Sequence, residues 1–183
     1  MQFEDVLKNR RSIRKFQPQP VESEKVEQLV EALRVCQSAK NRQPWRLMIL
    51  DGEKKDKVAD IMLQLFEQKD IELPGYVNSS KSSATIIREA PLLILVFKEI
   101  DDSWTTGDLL SIGAAIEHVC LQAVASSLGS LWIRDTEYTK QEISSYLGYS
   151  QLDLVSGIAI GYPDEKPVMR PRKSREDILL EPK

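Results

Sequence analysis

Arginine and serine crowd the start of this chain. In Arg10-Arg11-Ser12-Ile13-Arg14-Lys15-Phe16 three guanidinium forks flank one hydroxyl, and Lys8 adds a further cation against only Glu4 and Asp5. A planar fork of donors beside a hydroxyl is a donor set suited to phosphate. The same residues would also make an ordinary solvated face, and their spacing does not separate the two readings. Arg170, Arg172, Lys173 and Arg175 form a second basic cluster near the other end. Between them, Ser38-Ala39-Lys40-Asn41-Arg42-Gln43-Pro44-Trp45 follows a helix pattern and precedes a strand pattern. Its Asn and Gln amides could match the donor–acceptor edge of a heterocycle, or simply end the helix and turn the chain.

Other chemistries drop out. His118 is the only histidine, so two-histidine metal sites are excluded. Cys36 and Cys120 lie too far apart for a C-x-x-C pair and read as buried thiols of a reducing compartment. The eight glycines form neither G-x-G-x-x-G nor a Walker loop. Lys+Arg at 25 against Asp+Glu at 28 gives a net charge of −3, which argues against a nucleic-acid or membrane-surface partner. With no apolar signal core at the start and no apolar membrane-length segment evident, a cytoplasmic protein is expected.

The elements that must position these residues follow from periodicity. At 183 residues, 42% of them hydrophobic, the chain suits one compact domain. A short helix is expected over Phe3–Asn9. Val26, Leu29, Val30, Leu33 and Cys36 line one face of a second helix capped by Ser23. Trp45–Leu50 reads as a strand, and Val58, Ile61, Met62, Leu65 and Phe66 as a helix face reaching at latest Pro74-Gly75. The stretch from there to about Arg88 is Ser-rich and carries no clear pattern. Pro91–Phe97 is a strand covered on both faces. Asp108–Ser127 is a helix apolar on most sides and studded with small residues, suited to the centre of a domain or a subunit interface. Leu131-Trp132-Ile133 is a short strand, Thr139-x-x-Glu142 a capping box opening a helix that Gly148 closes, and Leu152–Tyr162 the last strand. Alternating helices and strands by themselves predict a parallel sheet. Past Pro163 the chain turns Pro-rich and basic, then ends near Ile178-Leu179-Leu180, as an arm wrapping another subunit would.

Four segments in order, RRSIRKF, SAKNRQPW, GAAIEHVCLQAVASSLGSLWI and GIAIGYP with its basic tail, resemble the nitroreductase family of FMN-dependent oxidoreductases over nearly the whole chain. The resemblance implies an α+β fold with a mixed, largely antiparallel sheet flanked by helices, in an intertwined homodimer with FMN at the interface. Residues 1–162 would form the FMN-binding domain and 163–183 an arm packing on the partner subunit. It further implies that Arg10 and Ser12, with Arg11 beside them, hold the FMN phosphate, and that Arg14 approaches the N1–C2 edge of the flavin. Ser38, Ala39 and Asn41 would come from the partner subunit, with Gln43 holding that loop. Trp132 and Ile133 would pack along the isoalloxazine, and Arg170 and Arg172 would close on the phosphate from the partner side. The implied activity passes a hydride from NADH or NADPH through flavin N5 to a nitroaromatic, quinone or similar small-molecule acceptor, and no side-chain catalyst is needed. Relatives that are dehydrogenases or reductive dehalogenases leave those reactions as alternatives, and a non-enzymatic flavin- or anion-binding module is another. This chain departs from the family in Gln37, in Leu128-Gly129-Ser130, in Arg134-Asp135 and in His118, where asparagine is frequent and a core position is expected.

Overall fold

The computed structural model describes residues 1–65 and 78–182. In chain order the elements are α1 (Phe3–Asn9), α2 (Ser23–Arg34), β1 (Trp45–Leu50), α3 (Gly52–Gln64), α4 (Asn78–Glu89), β2 (Leu92–Glu99), α5 (Thr105–Ala125), β3 (Gly129–Ile133), α6 (Lys140–Tyr146) and β4 (Leu152–Gly161). Phe66 and the helix end expected by Pro74-Gly75 lie outside the described residues.

The sheet runs β1-β2-β4-β3 with every neighbouring pair antiparallel. The parallel sheet that alternation predicts is therefore wrong, and the reason is α4. This helix occupies the Ser-rich stretch that carries no clear pattern in the sequence. Two helices between β1 and β2 return the chain to the end it left, so the strands run opposite ways; one crossover helix would have made them parallel. The single helix α5 does join two strands of the same sense, β2 and β3, but β4 lies between them. The parallel contribution described is a bridge from Ser12 to Ser130.

Helices cover both faces. Leu93, Leu95 and Phe97 of β2 pack with Leu131, Ile133 and Ala159 against α3, α4 and α6, through Val58, Met62, Ile87 and Ile143. On the other face Ile94, Val96, Ile158 and Ile160 meet Ile112, Ile116 and Val119 of α5 and Leu29 and Leu33 of α2. By length and composition α5 could cross a membrane, which the sequence reading did not anticipate, yet eight of its residues are buried, six of them in this core. Both cysteines are buried and free.

Several polar contacts lock the layers. Lys55 of α3 is buried and donates to the carbonyls of Ile87 and Arg88 at 2.9 and 2.7 Å, satisfying the end of α4, and to Asp56 at 2.6 Å. The Tyr162 hydroxyl donates to Glu22 at 2.7 Å and accepts from Lys25 at 2.5 Å, tying the start of α2 to the end of β4. That hydroxyl, above all, holds the Glu22 carboxyl below its ordinary pKa.

Three local expectations are corrected. Glu22 rather than Ser23 stands at the α2 cap position, with no side-chain cap bond. The capping box at α6 does not form, because Thr139 turns into the interior and its hydroxyl has no partner among the described residues. His118 is exposed on α5 and its Nδ1 lies 3.2 Å from the Ala32 carbonyl of α2.

Candidate functional site

The basic N-terminal segment is laid across the ends of β3 and β4. Ile13 N donates to the Ser130 carbonyl at 3.0 Å, and Phe16 bridges to Pro163. Glycine makes this approach possible: a Cβ on Gly129 would fall 2.7 Å from Ile13 Cγ1, and one on Gly161 2.5 Å from Pro91 and 3.1 Å from Phe16. The segment thus touches β3 two residues before Trp132, roughly 7 Å along the strand.

Its cations are only partly engaged. Arg10 pairs with Glu117 of α5 at 3.3 Å. Arg11 donates to the carbonyls of Lys8 and Arg10 at 2.6 and 2.8 Å, while its buried Nε has no partner among the described residues. Arg14 is exposed and its guanidinium donates to the Ser12 carbonyl at 3.2 Å. Glu165, which sequence reasoning missed, accepts from the backbone N–H groups of Arg14 and Lys15 at 2.5 and 3.2 Å and fixes the segment's backbone. Arg11, Ile13, Gly129, Glu165 and Lys166 line a cavity of about 370 Å³ here.

Alternation along β3 separates Trp132 from Ile133. Trp132 lies on the α5 side, 45% exposed, with Nε1 donating to Ser156 Oγ at 2.8 Å. Its ring passes over Gly113 and lines a larger cavity of about 790 Å³ with Ile112, Ile116, Arg134, Lys140 and Asp153. Ile133 points into the opposite core layer and is 2% exposed, so it can meet a ligand only through its backbone. The following turn is anchored by Asp135, which accepts from Ser79 and Ser83 of α4 at 2.9 and 2.7 Å.

The loop 38–43 sits elsewhere. It packs on the first half of α5, where the Ala39 N–H donates to Ser111 Oγ at 3.0 Å. Ser111 and Glu117 are six residues apart on α5, about 9 Å of rise. Lys40, Asn41 and Gln43 all adopt left-handed backbone angles, with φ of 54°, 54° and 48°, a region that non-glycine residues seldom occupy. Two contacts inside the loop oppose that cost. The Gln43 N–H donates to Ser38 Oγ at 3.0 Å, and Gln43 Nε2 donates to Asn41 Oδ1 at 3.1 Å. A third contact is the unforeseen Arg42, which donates to Asp108 at 3.0 and 3.3 Å and to Asp101 at 2.9 Å, and lies over the Trp104 ring. Hydrogen bonding to Asp108, and then to Asp101, holds the Arg42 guanidinium above its ordinary pKa. An aspartate inside an apolar helix was the available signal: Asp108 is buried and needs a cation. Arg170 and Arg172 are exposed on the tail, where Arg172 donates to the Arg170 carbonyl at 3.2 Å.

One chain therefore joins the Arg10–Arg14 segment to Trp132 and keeps Ser38, Ala39 and Asn41 on a separate surface. The chain belongs to the nitroreductase family, whose model matches residues 7–162. Among relatives, the iodotyrosine deiodinase of Thermotoga neapolitana is 25% identical over 96% of this chain and 95% of its own. The fold is shared with the FMN-dependent nitroreductase NfnB from Mycobacterium smegmatis, solved in complex with NADPH, at TM-score 0.81, 18% identity and coverage of 98% and 97% of the two chains. It is shared also with a BluB-like flavoprotein from Clostridium difficile 630, at TM-score 0.81, 23% identity and full coverage of both chains.

Proposed function

We propose that this chain is an FMN-dependent oxidoreductase that takes reducing equivalents from NADH or NADPH and passes them to a nitroaromatic, quinone or related electrophile in two half-reactions. The observation carrying it is the Arg10–Arg14 segment bound to β3 beside a half-exposed Trp132 over an open cavity, in a member of this family. Bound FMN supplies the hydride chemistry at its N5 atom.

The residues fit the cofactor. Arg11 Nε is a buried donor without a partner beside a cavity at the end of β3, as an anion site requires. Arg10, Arg11 and Ser12 hold the phosphate. Arg14, whose guanidinium meets only one carbonyl among the described residues, sets a cation at the N1–C2 edge of the ring and raises the site's affinity for electrons. Trp132 flanks the ring and Ile133 offers its backbone. Ser38, Ala39 and Asn41 reach the ring edge and ribityl chain from the partner of a homodimer, presented by the loop that Arg42 clamps. Arg170 and Arg172 close on the phosphate from the partner side.

In this reading residues 1–162 form the flavin-binding domain and 163–183 the arm that crosses to the partner. The exposure of Val168, Met169, Ile178, Leu179 and Leu180 on the single chain supports that assignment. The buried free thiols favour a reducing, cytoplasmic compartment. A second reading, reductive dehalogenation on the same scaffold, is favoured by the name of the Thermotoga relative.

Reconstitution tests the proposal: the purified chain should take up one FMN per subunit as a dimer. A chain truncated after Asp164 should lose flavin and dimer together, and a truncated protein that stays a yellow dimer refutes the role of the arm. Iodotyrosine turnover faster than that of any nitroaromatic would favour the second reading.

A further inference from the structure

Lys98 is the penultimate residue of β2, on the α5 side of the sheet, and is 3% exposed. Among the described residues its ammonium makes one hydrogen bond, to the Glu99 carbonyl at 3.0 Å, and no ion pair. A lysine offers three donors, and a buried ammonium without a counter-ion costs several kcal/mol. The carboxylate opposite it in the sheet, Asp153, is taken by Lys140 at 2.7 Å.

The remaining donors of Lys98 have one place to go. Lys98 lines a cavity of about 570 Å³ with Thr105, Gln141, Ser144 and Ser150, and with the exposed Asp102 at its rim. Among the described residues, the side chains of Ser144, Ser150 and Gln141 make no hydrogen bond within the chain; Ser144 is buried, and Ser150 and Gln141 are exposed. The cavity therefore sets donors around one buried cation, and of the two carboxylates on its lining Asp153 is paired with Lys140 while Asp102 is exposed. It meets the Trp132 cavity at Lys140, Asp153 and Leu154, which line both.

We propose that this second cavity receives the carboxylate of an aromatic electron acceptor, with Lys98 as its counter-ion and the reducible ring lying in the Trp132 cavity. The inference rests on the flavin oxidoreductase reading and names the substrate class of that site: aromatic acids rather than neutral electrophiles. Ser144, Ser150 and Gln141 complete the carboxylate's hydrogen bonds, and the Lys140–Asp153 pair forms the wall between ring and carboxylate.

Two measurements on the flavin-loaded protein test it, with Lys98→Met as the variant, since methionine keeps the apolar stem and removes the charge. The first is the KM ratio of 4-nitrophenylacetate to 4-nitrophenylacetamide, which differ in charge at one end. It should rise about tenfold to a hundredfold in Lys98→Met, the range for a lost charge-assisted bond. An unchanged ratio overturns the proposal. The second needs no turnover: phenylacetate should raise the melting temperature of the parent protein and not that of Lys98→Met. Equal shifts, or no shift in the parent, also overturn it. A protein whose flavin NAD(P)H fails to reduce refutes the oxidoreductase reading instead, and leaves the phenylacetate result to judge the cavity alone.

Discussion

Gly129→Ala is the sharpest test of how the basic segment is held. The new Cβ would lie 2.7, 2.9 and 3.0 Å from Cγ1, Cβ and Cγ2 of Ile13, where carbon atoms settle at about 3.5–4.0 Å. A side-chain rotation cannot relieve it, because Ile13 Cβ is itself one of the three atoms. The segment must retreat by about 0.8 Å at the closest atom (3.5 − 2.7), against the 3.0 Å bond from Ile13 N to the Ser130 carbonyl. Overpacking of this kind costs about 1–3 kcal/mol. A displacement near 1 Å of Arg10, Ser12 and Arg14 should weaken FMN binding by about tenfold or more. Urea titration reads the first effect and FMN fluorescence release the second. Gly129→Ala combined with Ile13→Ala removes two of the three clashes, so flavin affinity should partly return while stability falls further. A Gly129→Ala protein with parental urea midpoint and parental FMN affinity would refute the claim that this glycine seats the phosphate segment.

Other outcomes follow from named contacts. Lys55→Met leaves the Ile87 and Arg88 carbonyls without their donor and should cost about 1–3 kcal/mol in urea titration. Arg42→Ala removes the clamp on three left-handed residues, so hydrogen exchange at residues 39–43 and FMN dissociation should both speed up; unchanged exchange would mean the loop is held by its own contacts. Burial pushes the Cys120 thiol up to about 11, with the Ser130 contact opposing. The unfolded thiol ionises from about pH 8.5 while the folded one stays protonated, so the unfolded state binds fewer protons and stability falls between about pH 9 and 11. Cys120→Ala should flatten that part of the urea midpoint–pH curve. Arg14→Ala should lower the reduction potential of the bound flavin, measured by dye-coupled titration; an unchanged potential removes its electrostatic role.

Hydrophobic pattern carried much of the fold. The run through Leu92–Phe97 is legible because both its faces are buried, and the helix around Ile112–Val119 because its buried positions are apolar and small residues fill much of the rest. The Ser-rich α4 is not, since Ser79 and Ser83 face Asp135, a partner more than fifty residues away. Missing that helix is what turned an antiparallel sheet into an expected parallel one. The same distance hid part of the site. Arginines around a serine admit an anion by type, alongside a plain solvated face, whereas Arg42 gains meaning only once Asp108, 66 positions on, is folded against it. Ile133 shows the converse: its neighbour Trp132 lines the open cavity, and strand alternation sends Ile133 into the core.

The central claim is most directly tested by the visible absorbance spectrum of the FMN-loaded protein, recorded without oxygen before and after NADH or NADPH. The account predicts flavin bands that bleach with one of the two nucleotides and return on adding a nitroaromatic or quinone. A protein that stays colourless after incubation with FMN, or whose flavin neither nucleotide bleaches, would contradict it.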